Sequence, residues 1–166
     1  MSKKVPFDLK IHHVGFFVSD MDRTIEWYNK MFGFTLAHRT TYDLPGAGFT
    51  KMAWIKNKDY YIEIYQYPQP LKPVSMDNYL GTYGTKHVCF YVAHNEFKAL
   101  RNHLIENKAK VVVDCRWPNA QTAEVIRPLP PEADPETSGG VMYVMDPDGI
   151  LVEVQEEYYP GVGAKL

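Results

Sequence analysis

A repeat constrains this chain more than any other feature does. "HVGFFVSD", from His13 to Asp20, and "HVCFYVAH", from His87 to His94, share the order His-Val-small-Phe-aromatic-Val at an offset of 74 residues. Self-similarity of this kind means that one supersecondary unit occurs twice and that the fold is assembled from both copies. Each copy opens on a strand, His13 to Val18 or His87 to Val92, rich in β-branched and aromatic residues. Each strand then leads into a helix. In the first copy Asp20 suits the N-cap, Ile25, Tyr28 and Phe32 fall on one face, and Gly33 ends the helix. In the second, Asn95 caps, Phe97, Leu100 and Leu104 form the stripe, and Asn107 closes.

Strand signals return after each helix. They are "FTLAHRTT", "GFTKMAWI" and "YYIEIYQY" in the first copy, the last two joined by the polar turn "KNKD". In the second they are "KVVVD", a stretch around "AEVIR", then "GVMYVMD" and "ILVEVQEE", the last two joined at Pro147 to Gly149. The order strand, helix, strand, strand, strand therefore occurs twice, which makes the chain α+β. The expected modules run over 10–67 and 86–157, with a Pro- and Gly-punctuated connector over 68–85 and a tail over 158–166. A second irregular stretch, "RPLPPEADPETSGG" from Arg127 to Gly140, reads as a surface lid or a mobile loop, since loops of this length are uncommon without such a reason.

The bulk numbers exclude some partners. With 166 residues, 45% of them apolar and 23% charged, the chain suits one globular domain or two fused half-size modules sharing a core. A net charge of -2 leaves no basic footprint for a nucleic-acid backbone. No apolar run approaches the roughly 20 residues that cross a bilayer, and "MSKKVPFDLK" lacks a signal-peptide core. Cys89 and Cys115 stand in no metal or redox spacing, so a reducing cytoplasm is the expected location.

Alternation along the strands sorts the chemistry. His13, Gly15 and Phe17 share one face of the first strand, and Val14, Phe16 and Val18 share the other, which suits packing under a helix. His87, Cys89 and Tyr91 stand against Val88, Phe90 and Val92 in the same way. "YIEIY" separates Tyr61, Glu63 and Tyr65 from the isoleucines; "LVEVQ" separates Leu151, Glu153 and Gln155 from the valines. Taken singly, His13 or His87 reads as a core histidine bonded to backbone, and Glu63 or Glu153 as a salt-bridged strand residue. Taken together, two His and two Glu on repeat-equivalent, non-helix faces converge if the two sheets enclose one cavity. A glutamate among apolar neighbours costs free energy unless it is paired. Two imidazoles and two carboxylates would be neutral around one divalent ion, and N/O donors suit Ni, Co, Zn, Mn or Fe. Gly15 and Cys89 are small enough to leave room beside it. His12 is expected on the opposite face, Glu156 and Glu157 on the water side, and His38, His94 and His103 on the surface.

The stretches "IHHVGFFVSDMDRTIEWYNKMFGF", "YYIEIYQ", "GTKHVCFYV" and "MDPDGILVEVQ" resemble the vicinal oxygen chelate superfamily, which includes glyoxalase I, methylmalonyl-CoA epimerase, extradiol dioxygenases and bleomycin-resistance proteins. The resemblance implies a single domain of two tandem βαβββ modules forming a U-shaped, partly open mixed sheet around a metal site. It places His13, Glu63, His87 and Glu153 on the metal positions, with Glu63 or Glu153 as catalytic base and Phe17, Tyr61, Tyr65, Cys89, Tyr91 and Gln155 lining the substrate pocket. The implied function is a metal-dependent lyase or isomerase. It would chelate vicinal oxygens of a small substrate and move a proton through an enediolate or enolate. The alternatives are an Fe(II) extradiol-type dioxygenase and a non-enzymatic small-molecule-binding or resistance protein. A homodimer is the expected state, its site closed within one chain or across two.

Overall fold

Each strand-helix-strand-strand-strand unit folds as the repeat requires. The computed structural model describes residues 11–46, 48–69, 84–85, 87–116 and 140–156; the "AEVIR" strand, Glu157, the tail, most of the connector and the second irregular stretch up to Gly139 lie outside them. The first unit contains β1 (His13–Phe17), α1 (Met21–Phe32), β2 (Thr35–Leu44), β3 (Gly48–Asn57) and β4 (Tyr60–Gln66). The second contains β5 (His87–Val92), α2 (His94–Glu106), β6 (Lys110–Arg116), β7 (Gly140–Met145) and β8 (Leu151–Glu156). Each forms a four-stranded mixed sheet, ordered β1-β4-β3-β2 and β5-β8-β7-β6. Among the described residues the two sheets remain separate and close no barrel.

Local signals set the helix ends. The Asp20 carboxylate accepts the Arg23 amide at 3.1 Å, capping α1. Gly33 ends it in the left-handed region (φ 68), which costs a glycine little. At α2 the structure differs from the expectation: the N-cap is Ala93, no side chain caps it, and Asn95 lies inside the helix.

Both helices cover the Val/Phe/Val faces of their sheets, and the core is continuous from one unit to the other. Phe16, Tyr28, Ile62 and Ile64 belong to the same buried cluster as Leu104, Met142, Val152 and Val154. Glu156, expected to face water, is buried instead. Its position follows from alternation, because it shares the helix side of β8 with Val152 and Val154. Gly140 of β7 packs directly against the Phe97 ring. A Cβ there would enter the Phe97 ring. Gly140→Ala is therefore expected to destabilise the protein by about 1–3 kcal/mol, the usual range for overpacking, as read by urea denaturation.

The two units are joined through their helix sides. Phe90 of β5 packs its ring 5.3 Å from Phe32 and 5.4 Å from Phe34. His103 Nε2 donates to the Lys30 carbonyl at 2.9 Å. The β7–β8 turn latches onto the β1–α1 corner: Asp148 accepts from the Ser19 amide and hydroxyl, from Arg23 Nη2 and from the Thr24 hydroxyl. Beneath this latch, the Tyr28 hydroxyl and Asp146 Oδ2 are both buried, and among the described residues neither has a partner at hydrogen-bonding geometry. Burial pushes the Asp146 carboxyl up to about 6, against backbone donors from Ile150 and Asp148 that pull the other way.

A raised carboxyl favours the protonated fold. The stability that Asp146 contributes is therefore complete below its unfolded pKa near 3.8 and is lost as pH rises through about 6. Asp146→Asn removes that loss and offers an amide to Tyr28. Relative to wild type, the variant should gain about 2–3 kcal/mol between pH 4 and pH 7.5. Paired urea titrations at both pH values measure this difference.

Candidate metal centre

Which face each residue occupies is fixed by partners on the other face. Ala53 and Ile64 are fully buried under α1, and Arg39 of β2 pairs with Asp22 of α1. Asp114 of β6 pairs likewise with Arg101 of α2. The alternate residues therefore lie on the far, open face of each sheet. On that face Gly15 stands opposite Glu63 in the parallel β1–β4 pair, and Cys89 stands opposite Glu153 in β5–β8. One local arrangement is thus built twice.

In each copy the histidine two residues before the small one reaches the glutamate. His13 Nε2 lies 3.3 Å from Glu63 Oε2, and His87 Nε2 lies 3.0 Å from Glu153 Oε2. The residue two positions after each glutamate supports it. Gln155 Nε2 donates to Glu153 Oε1 at 2.7 Å. Tyr65, its counterpart, has a phenol whose pKa is raised first by burial and then by its hydrogen bond to Glu63, with Tyr42 also contributing. Glu153 is only 3% exposed, so an ionised carboxylate there depends on these partners. Cys89, open to solvent in the single chain, is not an activated nucleophile: partial burial and then the Glu153 carboxylate push its thiol up to about 12.

An aromatic wall completes the face. Phe17 stacks on Tyr65 at 5.3 Å and lies 5.0 Å from Tyr67, while Tyr91 is largely exposed on β5. His12 lies beyond the end of β1, so strand alternation does not govern it. Its ring stacks on Tyr61 at 5.2 Å and its Nδ1 is 3.1 Å from that of His13, on the face of His13 rather than the opposite one. Two residues that sequence reasoning passed over back the histidines: Trp54, 4.8 Å from the His13 ring, and Tyr143, 5.5 Å from His87. They are cross-strand partners of Glu63 and Glu153. Folding this hairpin about Lys58 and Asp59, the last two residues of "KNKD", would have placed Trp54 beside Glu63.

These pairs fit as halves of one ligand set. Donors about 2.1 Å from a shared ion lie roughly 3.0–3.4 Å apart, depending on the angle between them. Both His–Glu separations fall in that interval. Within one chain, however, the pairs do not join: among the described residues no group of three or more His, Cys, Asp or Glu is gathered closely enough to hold a metal.

A family model described as Glyoxalase/Bleomycin resistance protein/Dioxygenase superfamily matches residues 10–154. No curated protein matches the chain in sequence. Among solved structures, the fold is similar to a glyoxylase/bleomycin resistance protein/dioxygenase domain from Frankia sp. EAN1pec. The TM-score is 0.65 at 16% identity, over 90% of this chain and 98% of that one. A glyoxalase family protein from Enterococcus faecalis gives 0.60 at 22% identity, over 89% and 97%. A variant of the fosfomycin resistance protein FosX from Listeria monocytogenes, complexed with Mn(II) and 1S,2S-dihydroxypropylphosphonic acid, gives 0.59 at 13% identity, over 96% of each chain. At these identities the likeness is one of fold. Among the described residues no helix is long and apolar enough to cross a membrane.

Proposed function

Since the chain belongs to the glyoxalase/bleomycin resistance protein/dioxygenase superfamily, we propose that it is a metal-dependent lyase or isomerase whose site is shared between two copies. His13 and Glu63 of one copy would meet His87 and Glu153 of the other. The observation that carries this reading is the duplicated His–Glu pair, each at ligand spacing and each on an open sheet face. The junction inside one chain uses the helix sides, which leaves both faces free for a second copy. The Mn(II) complex of the structurally similar FosX supports a divalent ion in this fold.

Bound there, a divalent ion supplies Lewis acidity to a substrate carbonyl and acidifies the neighbouring C–H. The proton itself is moved by the protein. Glu153 is the poorer base, with Oε2 on His87, Oε1 on Gln155 and its side chain 4% exposed. Glu63 is the better one: its side chain is 12% exposed, and a Cβ built at Gly15 would come no nearer than 4.0 Å to its Oε2. It takes the proton on a carboxylate oxygen and returns it to the same or the adjacent carbon. Tyr65 holds that carboxylate, and the wall of Phe17, Tyr65 and Tyr67 excludes water from one side.

Deuterium wash-in tests the proton step. Dihydroxyacetone, a small ketone with neighbouring oxygens, is followed by NMR in D₂O with protein loaded with Ni, Co, Zn, Mn or Fe in turn. Exchange beside the carbonyl is expected with at least one metal, independent of O₂ and lost in Glu63→Gln. Oxygen uptake in place of exchange would move the protein to dioxygenase chemistry.

A further inference from the structure

We infer that the cleft between the two modules is a second binding site, one that takes a small organic anion with a flat apolar body. The cleft has a volume of about 740 Å³, within the usual size of ligand pockets. It is bounded by the end of β1, the outer side of α1, the α2–β6 corner and the β7–β8 turn. None of His13, Glu63, His87 or Glu153 lines it, and the cleft meets the candidate metal centre only at Phe17.

Charge in the cleft is unevenly committed. Arg23 is matched by Asp148 at 3.1 Å. Asp146 is buried, and its Oδ1 accepts the amides of Asp148 and Ile150 within its own turn. Lys108 and Lys110 are exposed, and neither is paired with a carboxylate among the described residues. They are the cations left to receive an anion. Trp27, half-buried against Tyr28 and Phe32, provides a flat apolar wall nearby. An ammonium pair beside an indole suits an aromatic or similarly flat carboxylate, sulfonate or phosphate.

The backbone adds an independent argument. Lys108 sits in the left-handed region at φ 60, just after α2, where the matching corner of the first module uses Gly33 at φ 68. Its amide donates to the Ile105 carbonyl at 2.9 Å, so the conformation is part of the helix end. Physical chemistry favours glycine at this corner. Lys58 shares the conformation in the β3–β4 turn, so what distinguishes Lys108 is that it lines the cleft.

The test is calorimetric titration of the full chain with 2-naphthalenesulfonate and, in parallel, with 2-naphthol, which has the same flat body without the charge. One sulfonate is expected per chain, with quenching of Trp27 fluorescence and weakening at high salt. Lys108→Gly and Lys110→Gln should each reduce affinity about three- to fivefold, the range for one solvated charge. Lys108→Gly should melt at or above the wild-type temperature, because glycine is relaxed at that φ; this keeps loss of binding distinct from loss of fold. The inference is overturned if no saturable binding occurs, if 2-naphthol binds equally well, or if the double variant binds the sulfonate unchanged.

Discussion

Glu153→Gln should lose the metal while keeping the fold. The substitution preserves shape in a site that is 3% exposed, so packing around Val152 and Val154 is undisturbed. The partner left behind is the His87 ring, whose side chain is 38% exposed and can turn to water, so the fold survives the loss of the pair. The donor set changes profoundly, because the oxygen 3.0 Å from His87 Nε2 loses its negative charge and the Gln155 amide then faces another amide. Substitutions behind a metal ligand already cost 10–100-fold in affinity, so replacing the ligand should cost at least about 100-fold. Chelator competition measures the affinity and circular dichroism the fold. Activity should fall at least in proportion. Wild-type affinity in this variant would remove Glu153 from the ligand set.

Two inactive variants should restore each other. His13→Ala spoils the first-module half of a shared site, and His87→Ala spoils the second-module half. In a two-fold dimer each site takes one half from each copy. A mixed dimer therefore carries both lesions in one site and none in the other. After free exchange at equal concentrations, activity should recover to about a quarter of wild type, since half the dimers are mixed and each has one intact site. A site closed within one chain gives no recovery, because every site then carries a lesion.

The repeat made the fold legible before any coordinates. Strand signals around His13 and His87, Asp20 as a cap and Gly33 as a stop were local chemistry, and all reappear in the structure. Alternation within "YIEIY" and "LVEVQ" placed each glutamate on the same face as its histidine, because a two-residue period is a rigid constraint. The start of α2 was misplaced because Asn95 is a good capping residue, yet the chain enters the helix at Ala93 with no side-chain cap at all. His12 was misplaced for a related reason: alternation was applied beyond the last residue of the strand. Trp54 and Tyr143 required hairpin register, and the Asp148 latch links residues more than 120 positions apart. "DPDG" read alone is only a turn. No local pattern in it announces Ser19, Arg23 and Thr24 as its partners.

Metal content measured together with assembly mass tests the shared site most directly. Protein reconstituted with Mn, Ni, Co, Zn or Fe is separated by size-exclusion chromatography with light scattering, and each fraction is analysed by elemental mass spectrometry. The account predicts one equivalent of a transition metal per chain in the dimer and none in any monomer. Full occupancy in a monomer, or no metal in the dimer with any of the five ions, would contradict it.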